Sequence, residues 1–166
     1  MTISMYVASV PVFKQMLTAL NAILSKAKEH TQVNPETLLQ ASLFPDMFNF
    51  TRQVQIATDF AKSVTARLAG QEVPTYEDTE TTFDELQARI TKTLKFISTF
   101  SPESINGSED REIVTRPGTP KEKKFNGESY LLTYGLPQFF FHITTAYAIL
   151  RNNGIEIGKR DYMGNF

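Results

Sequence analysis

Four stretches of this chain repeat apolar residues at steps of three and four, a period that leaves few ways to fold. Val10, Phe13, Met16, Leu17, Leu20, Ile23, Leu24 and Ala27 form the first stripe. Phe50, Val54, Ala57, Ala61, Val64 and Leu68 form the second, and Phe83, Leu86, Ile90, Leu94 and Ile97 the third. The fourth stretch, Pro137 to Asn152, is the most apolar. A helix striped on one side must bury that side, and four such helices bury theirs against one another. The expected fold is all-α, a four-helix bundle with residues 1–166 as one domain.

Punctuation along the chain sets the expected boundaries. Ser9 and Pro11 read as cap and first turn of a helix over Val10–Glu29, with His30 at its negative end. A short helix begins at Pro35 and breaks near Pro45. The second long helix is expected from Asp46, read as its N-cap, to Ala69, with Gly70 as its stop. Thr82 and Glu85 have capping-box spacing for the third helix, which ends before Pro102. Residues 103–127 hold two short segments around a Pro-Gly turn, a candidate β-hairpin. "ESYLLTYG" reads as two turns of helix closed by Gly135. The fourth helix then runs Pro137–Asn152, with Gly154 just past its end. The tail offers Ile155, Ile157, Tyr162 and Phe166 for packing. The connection from Thr31 to Pro45 is long, as is the one between the third and fourth helices, which argues against a simple up-down bundle with tight loops.

Composition excludes several classes of function. The net charge is 17 − 18 = −1, so the basic excess of a nucleic-acid binder is missing. The chain has no cysteine, which removes disulfides, thiolate nucleophiles and thiolate metal ligands. No apolar run reaches 18 residues, so no membrane span is expected. The opening residues lack a basic segment and Lys14 interrupts their apolar run, so a signal peptide is not expected and the cytoplasm is the expected location.

The oddest residue is His142, inside "QFFFHITTAYAILRNNG". Helical spacing puts Gln138 and Thr145 on its face. Buried polar groups need partners. The second helix offers Gln53 and Gln55, with Arg52 and Asp59 nearby and Asp46 at its start. Inward-pointing Gln, His and Asp would form a small polar site at the centre of the bundle, a common place for ligands and metals. Against this stands the plainer reading of His142 as a core residue with one good hydrogen bond, and of Gln53 and Gln55 as part of an exposed face. No Ser-His-Asp order, Gly-rich phosphate loop or H-E-x-x-H motif is present.

"LFPDMFNFTRQVQIATDFAKS", "ARLAG", "FDELQARITKTL" and above all "LPQFFFHITTAYAILRNNGIEIGKRDYMG" resemble a microbial family of unknown function in the DinB/YfiT-like superfamily. The resemblance covers almost the whole chain. It implies a four-helix bundle with a long crossover after the second helix. In many members it implies a divalent metal held by one histidine of the second helix and an H-x-x-x-H pair of the fourth. Some members are thiol-dependent transferases or isomerases, and members often form homodimers. Carried onto this chain by the spacing to "LRNNG", the H-x-x-x-H positions are Gln138 and His142. The second-helix position is Gln55, with Gln53 as the alternative.

Only His30 and His142 exist in the chain, so three histidines cannot meet in one subunit. No metal or other cofactor is expected; any loose site would join His142 to Asp46 or Asp59. Three functional readings follow. The first is a pocket between the second and fourth helices holding a small organic ligand, with His142 as anchor or candidate catalytic base and Gln138, Gln53, Gln55, Asp46 and Asp59 around it. The second is a metal-free structural or interaction protein whose site has become a hydrogen-bonded core. The third is a weakly metal-dependent thiol transferase or isomerase. Catalysis and plain binding both stay open, and the aromatics of residues 130–141 point to a homodimer.

Overall fold

The computed structural model describes residues 3–30 and 32–166. It is mainly helical, with four long helices: α1 (Val10–Glu29), α3 (Phe50–Leu68), α4 (Phe83–Ile97) and α7 (Leu136–Asn152). Short helices α2 (Pro35–Gln40), α5 (Pro102–Ile105), α6 (Gly127–Ser129) and α8 (Lys159–Met163) fill the connections and the tail. Two short strands, β1 (Ile113–Thr115) and β2 (Lys123–Phe125), pair antiparallel with Ile113 opposite Phe125, and the Pro-Gly turn lies between them. Thr31, where the first long connection begins, lies outside the described residues.

The central element is α3, which packs on α1, α4 and α7. Its apolar stripe of Phe50, Val54, Ala57, Ala61, Val64 and Leu68 is buried. A second row of Thr51, Gln55, Thr58, Lys62 and Thr65 is buried too, and it repeats at steps of four and three. A helix buried on two sides needs polar partners for the polar side. Arg89 supplies them from α4, where it stands in the buried row Phe83, Leu86, Arg89, Ile90, Thr93. Its Nε donates to Thr58 Oγ1 at 2.7 Å and its Nη2 to Asp59 Oδ1 at 2.9 Å. Its Nη1 meets the Glu77 carbonyl at 3.0 Å and Glu80 Oε1 at 3.1 Å. One guanidinium thus fastens α3, α4 and the segment 71–82 together.

Local chemistry explains most helix ends. Asn49, not Asp46, caps α3: its side chain accepts from the Arg52 N–H at 2.9 Å. Asp46 is exposed in the preceding turn, because the apolar row begins at Phe50 and the cap must stand one residue before it. Thr82 and Glu85 form the capping box of α4. Ser9 occupies the cap position of α1 without capping it, since its hydroxyl donates back to the Met5 carbonyl at 2.6 Å. Gly70 and Gly154 take the left-handed conformation that ends α3 and α7, with φ of 68° and 86°.

Gly135 does not close a helix. Residues Tyr130–Gly135 form a π-helical turn that runs straight into α7, and Gly135 keeps a right-handed φ of −63°. A Cβ there would lie 2.7 Å from Val64 Cγ2, so the glycine serves close packing of α7 on α3. In the tail, Ile155 and Ile157 are buried, whereas Phe166 is 96% exposed rather than packed. Among the described residues no helix is long and apolar enough to cross a membrane.

Arg89→Met should cost about 3–5 kcal/mol, because it strands Asp59 and Glu80 beside a buried face. Urea unfolding would read the loss, and limited proteolysis should then cut within residues 71–82. A variant as stable and as resistant as the parent would show that the guanidinium is dispensable.

Candidate functional site

His142 lies on the α7 face that meets α3 and is 7% exposed. Gln53 comes from the first turn of α3 and is 1% exposed. Gln53 Nε2 donates to the Phe48 carbonyl at 3.1 Å, which turns the amide oxygen toward the imidazole. His142 Nδ1 lies 2.7 Å from that oxygen. An amide oxygen only accepts, so Nδ1 carries the proton and donates. The neutral ring then keeps its lone pair on Nε2. No described residue hydrogen-bonds Nε2, so its lone pair is unpartnered among the described residues. Phe60 stacks on the ring at 6.1 Å and 15°, and Phe141 meets it edge-on at 5.2 Å. Burial, reinforced by the nearby charge of Arg52, pushes the imidazole pKa down to about 4.

The other expected site residues go elsewhere. Gln55 is buried but turned away from Gln53: two residues along a helix amount to a rotation of about 200°. Its Oε1 accepts from Arg52 at 3.2 Å and its Nε2 donates to Glu80 at 2.8 Å. The second-helix position that faces His142 is therefore Gln53, and Gln55 belongs to the Arg89 network. Asp59 belongs there too, with Oδ1 shared by Lys62 and Arg89 at 2.9 Å each. Asp46 stays in its exposed turn. Gln138 is half-buried and has no side-chain hydrogen bond among the described residues, so it does not join His142. Thr145 turns its hydroxyl back to the Phe141 carbonyl at 2.7 Å.

These placements bear on the metal that the DinB-like pattern implies. Gln53 Oε1 already accepts the His142 N–H, Gln138 is apart, and neither aspartate bonds the histidine. One imidazole nitrogen remains as donor. Among the described residues no three His, Asp or Glu stand together as a ligand group. This donor set does not fit a three-histidine metal.

Long helices around a two-faced central α3, with a buried pair joining α3 to α7, define a DinB-like helical protein. The chain belongs to the family described as Domain of unknown function (DUF1993), whose model matches residues 5–163. It is similar to a DinB family member from Shewanella denitrificans, known by its crystal structure, at 41% identity and a TM-score of 0.90. That match covers 97% of this chain and 92% of the other. No relative is found among the curated proteins.

Sequence reasoning passed over Arg89 and Lys62, although a signal exists for each. Arg89 falls three residues after Leu86 and four before Thr93, inside an apolar row. Lys62 falls in the four-three row of α3 residues that starts at Thr51. A lone charge at a stripe position is a buried charge that must have partners.

The depressed pKa of His142 sets the sign of a pH effect. Above the ordinary value of 6.5 the imidazole is neutral in both folded and unfolded chains, and its contribution to stability is fully present. Below 6.5 the unfolded chain takes the proton first, so stability is lost as the pH falls toward 4. Urea unfolding at pH 7.5, 6 and 5 should show the parent losing stability relative to His142→Gln, by at most about 1.4 kcal/mol per pH unit. Parallel pH profiles would contradict a buried neutral imidazole. At pH 7.5, His142→Ala should cost about 1–3 kcal/mol by leaving Gln53 Oε1 unpaired.

Proposed function

We propose that the chain is a four-helix bundle that binds a small organic molecule at the seam of α3 and α7, with His142 Nε2 accepting a hydrogen bond from it. The observation that carries this reading is the lone pair on Nε2. It is fixed in direction by the Gln53–Phe48 relay and has no hydrogen-bond partner among the described residues. A hollow of about 360 Å³, lined by Tyr134, Pro137, Gln138 and Phe141, lies on the preceding turn of α7, without His142 in its lining. Its walls are mostly aromatic and apolar, and Gln138, one turn before His142, adds an amide with no side-chain hydrogen bond among the described residues. A neutral acceptor asks for an N–H or O–H on the ligand. An imidazole with a pKa near 4 is a weak proton acceptor at neutral pH, which favours binding over general-base catalysis.

One observation favours the structural alternative. Gln53 and His142 satisfy each other, as a core tie would. The two readings separate under titration with phenols and primary amides, followed through the His142 ring nitrogens by long-range 15N NMR. Binding should move Nε2 saturably at millimolar ligand and fail in Gln138→Ala. If no donor-bearing compound moves Nε2, the pair is a core tie only. The proposal includes pairing of two copies, which would give the hollow a further wall. Leu132 and Phe141 nearby are 48% and 54% exposed. A monomer mass by light scattering at micromolar concentration would set the pairing aside.

A further inference from the structure

A second cleft is lined by Phe60. It holds about 320 Å³ between the C-terminal half of α3, residues 73–76, the β1–β2 turn and Tyr134 of the π-helical turn. That volume is at the low end for small-ligand sites. Three cations line it: Lys62, Arg67 and Arg116.

Lys62 is already neutralised, because its Nζ sits on Asp59 and over the ring of Tyr76 at 3.9 Å. Within the network around Arg89, the cations Arg52, Lys62 and Arg89 face the carboxylates Asp59, Asp78 and Glu80. Three charges meet three within that network. Among the described residues neither Arg67 nor Arg116 has a carboxylate partner. Arg67 is nonetheless held in place, since one Nη donates to Tyr130 Oη at 2.8 Å, and its other N–H groups have no partner among the described residues. Arg116 is the one described non-glycine residue with a positive φ, at 51°.

The rest of the lining is mixed: Ser63, Thr75, Thr115 and the Asp59 that holds Lys62 are polar, and the other walls are aromatic or apolar. Phe60 and Tyr134 stack edge to face at 5.9 Å, and Val73 and Pro74 line the same cleft. Tyr134 stands on a π-helical turn, an irregularity that frequently marks functional positions. Two guanidinium forks without acidic partners match the oxygens of a phosphate or carboxylate. Aromatic and proline walls match a planar body. We propose that this cleft binds a small organic oxyanion with a flat apolar body, its charged head between Arg67 and Arg116 and its body against Phe60 and Tyr134. The cleft meets the hollow on α7 at Tyr134 but uses different polar groups, and neither proposal needs the other.

Phenyl phosphate is the probe, with phenol and inorganic phosphate as controls, titrated against the full chain by calorimetry and by the 15Nε signals of the arginines. Saturable binding at or below millimolar concentration is expected, with Arg67 and Arg116 signals shifting together. Arg116→Gln and Arg67→Gln should each weaken it by about tenfold, the loss of one charge-assisted contact. Tyr130→Phe removes the bond that Arg67 makes but keeps the guanidinium, so it separates ligand binding from folding: it should still bind. No saturation by 10 mM phenyl phosphate, or full binding by Arg116→Gln, would overturn the proposal. Inorganic phosphate binding as tightly as phenyl phosphate would overturn it too, because the flat walls would then contribute nothing.

Discussion

A single buried guanidinium organises this molecule. Arg89 enters the core in the middle of an apolar row, and a charge can remain there only if its N–H groups are met. Thr58, Asp59, Glu80 and the Glu77 carbonyl meet them. Those partners come from α3 and from residues 71–82, so satisfying one side chain fixes a loop against two helices. The Tyr76 ring lies under the same group at 5.3 Å and is flanked by Lys62 and Lys92. Burial, only partly offset by Arg89 and a bond to Thr93, holds the phenol pKa of Tyr76 above its ordinary value. Segment 71–82 has no helix or strand of its own, and its shape follows from these contacts.

The clamp also explains why α3 carries two kinds of buried row. Its apolar row packs with the long helices, and its polar row meets Arg89 and the loop. With both occupied, Gln53 is left as the polar group that faces α7. It arrives there in the first turn of the helix, close enough to the preceding Phe48 carbonyl to anchor its amide. That anchoring decides the tautomer of His142, and the tautomer decides which nitrogen keeps its lone pair. The direction of one lone pair therefore traces back to a backbone carbonyl five residues before Gln53.

Two surface features share Tyr134 but differ in chemistry. The hollow on α7 offers the amide of Gln138, whereas the cleft lined by Phe60 offers guanidinium groups. The π-helical turn places Tyr134 at the border of both. It runs without a break into α7 because Gly135 lets the chain pass close to Val64.

The apolar periods, Pro11, Gly70, Gly154 and the Thr82–Glu85 box determined by themselves that the chain is mainly helical, where α1 and α4 begin and where α3 and α7 end. Those signals are local: a stripe needs one helix, and a cap needs four residues. The start of α3 was ambiguous for the same reason, since Asp46 and Asn49 are equally good caps and only the placement of Phe50 in the core chooses between them. Sequence also marked His142 as a polar residue in need of a partner and named Gln53 and Gln55 as candidates. It could not choose, because the choice depends on how α3 is rotated against α7 and α4. That rotation is set by packing on several sides at once. The tertiary structure alone gave Gln53 to the histidine and sent Gln55 and Asp59 to Arg89. It alone left Gln138 aside and turned Gly135 from an expected stop into a point of close approach. Each of these outcomes depends on what another helix brings to the contact, and no local pattern carries that information.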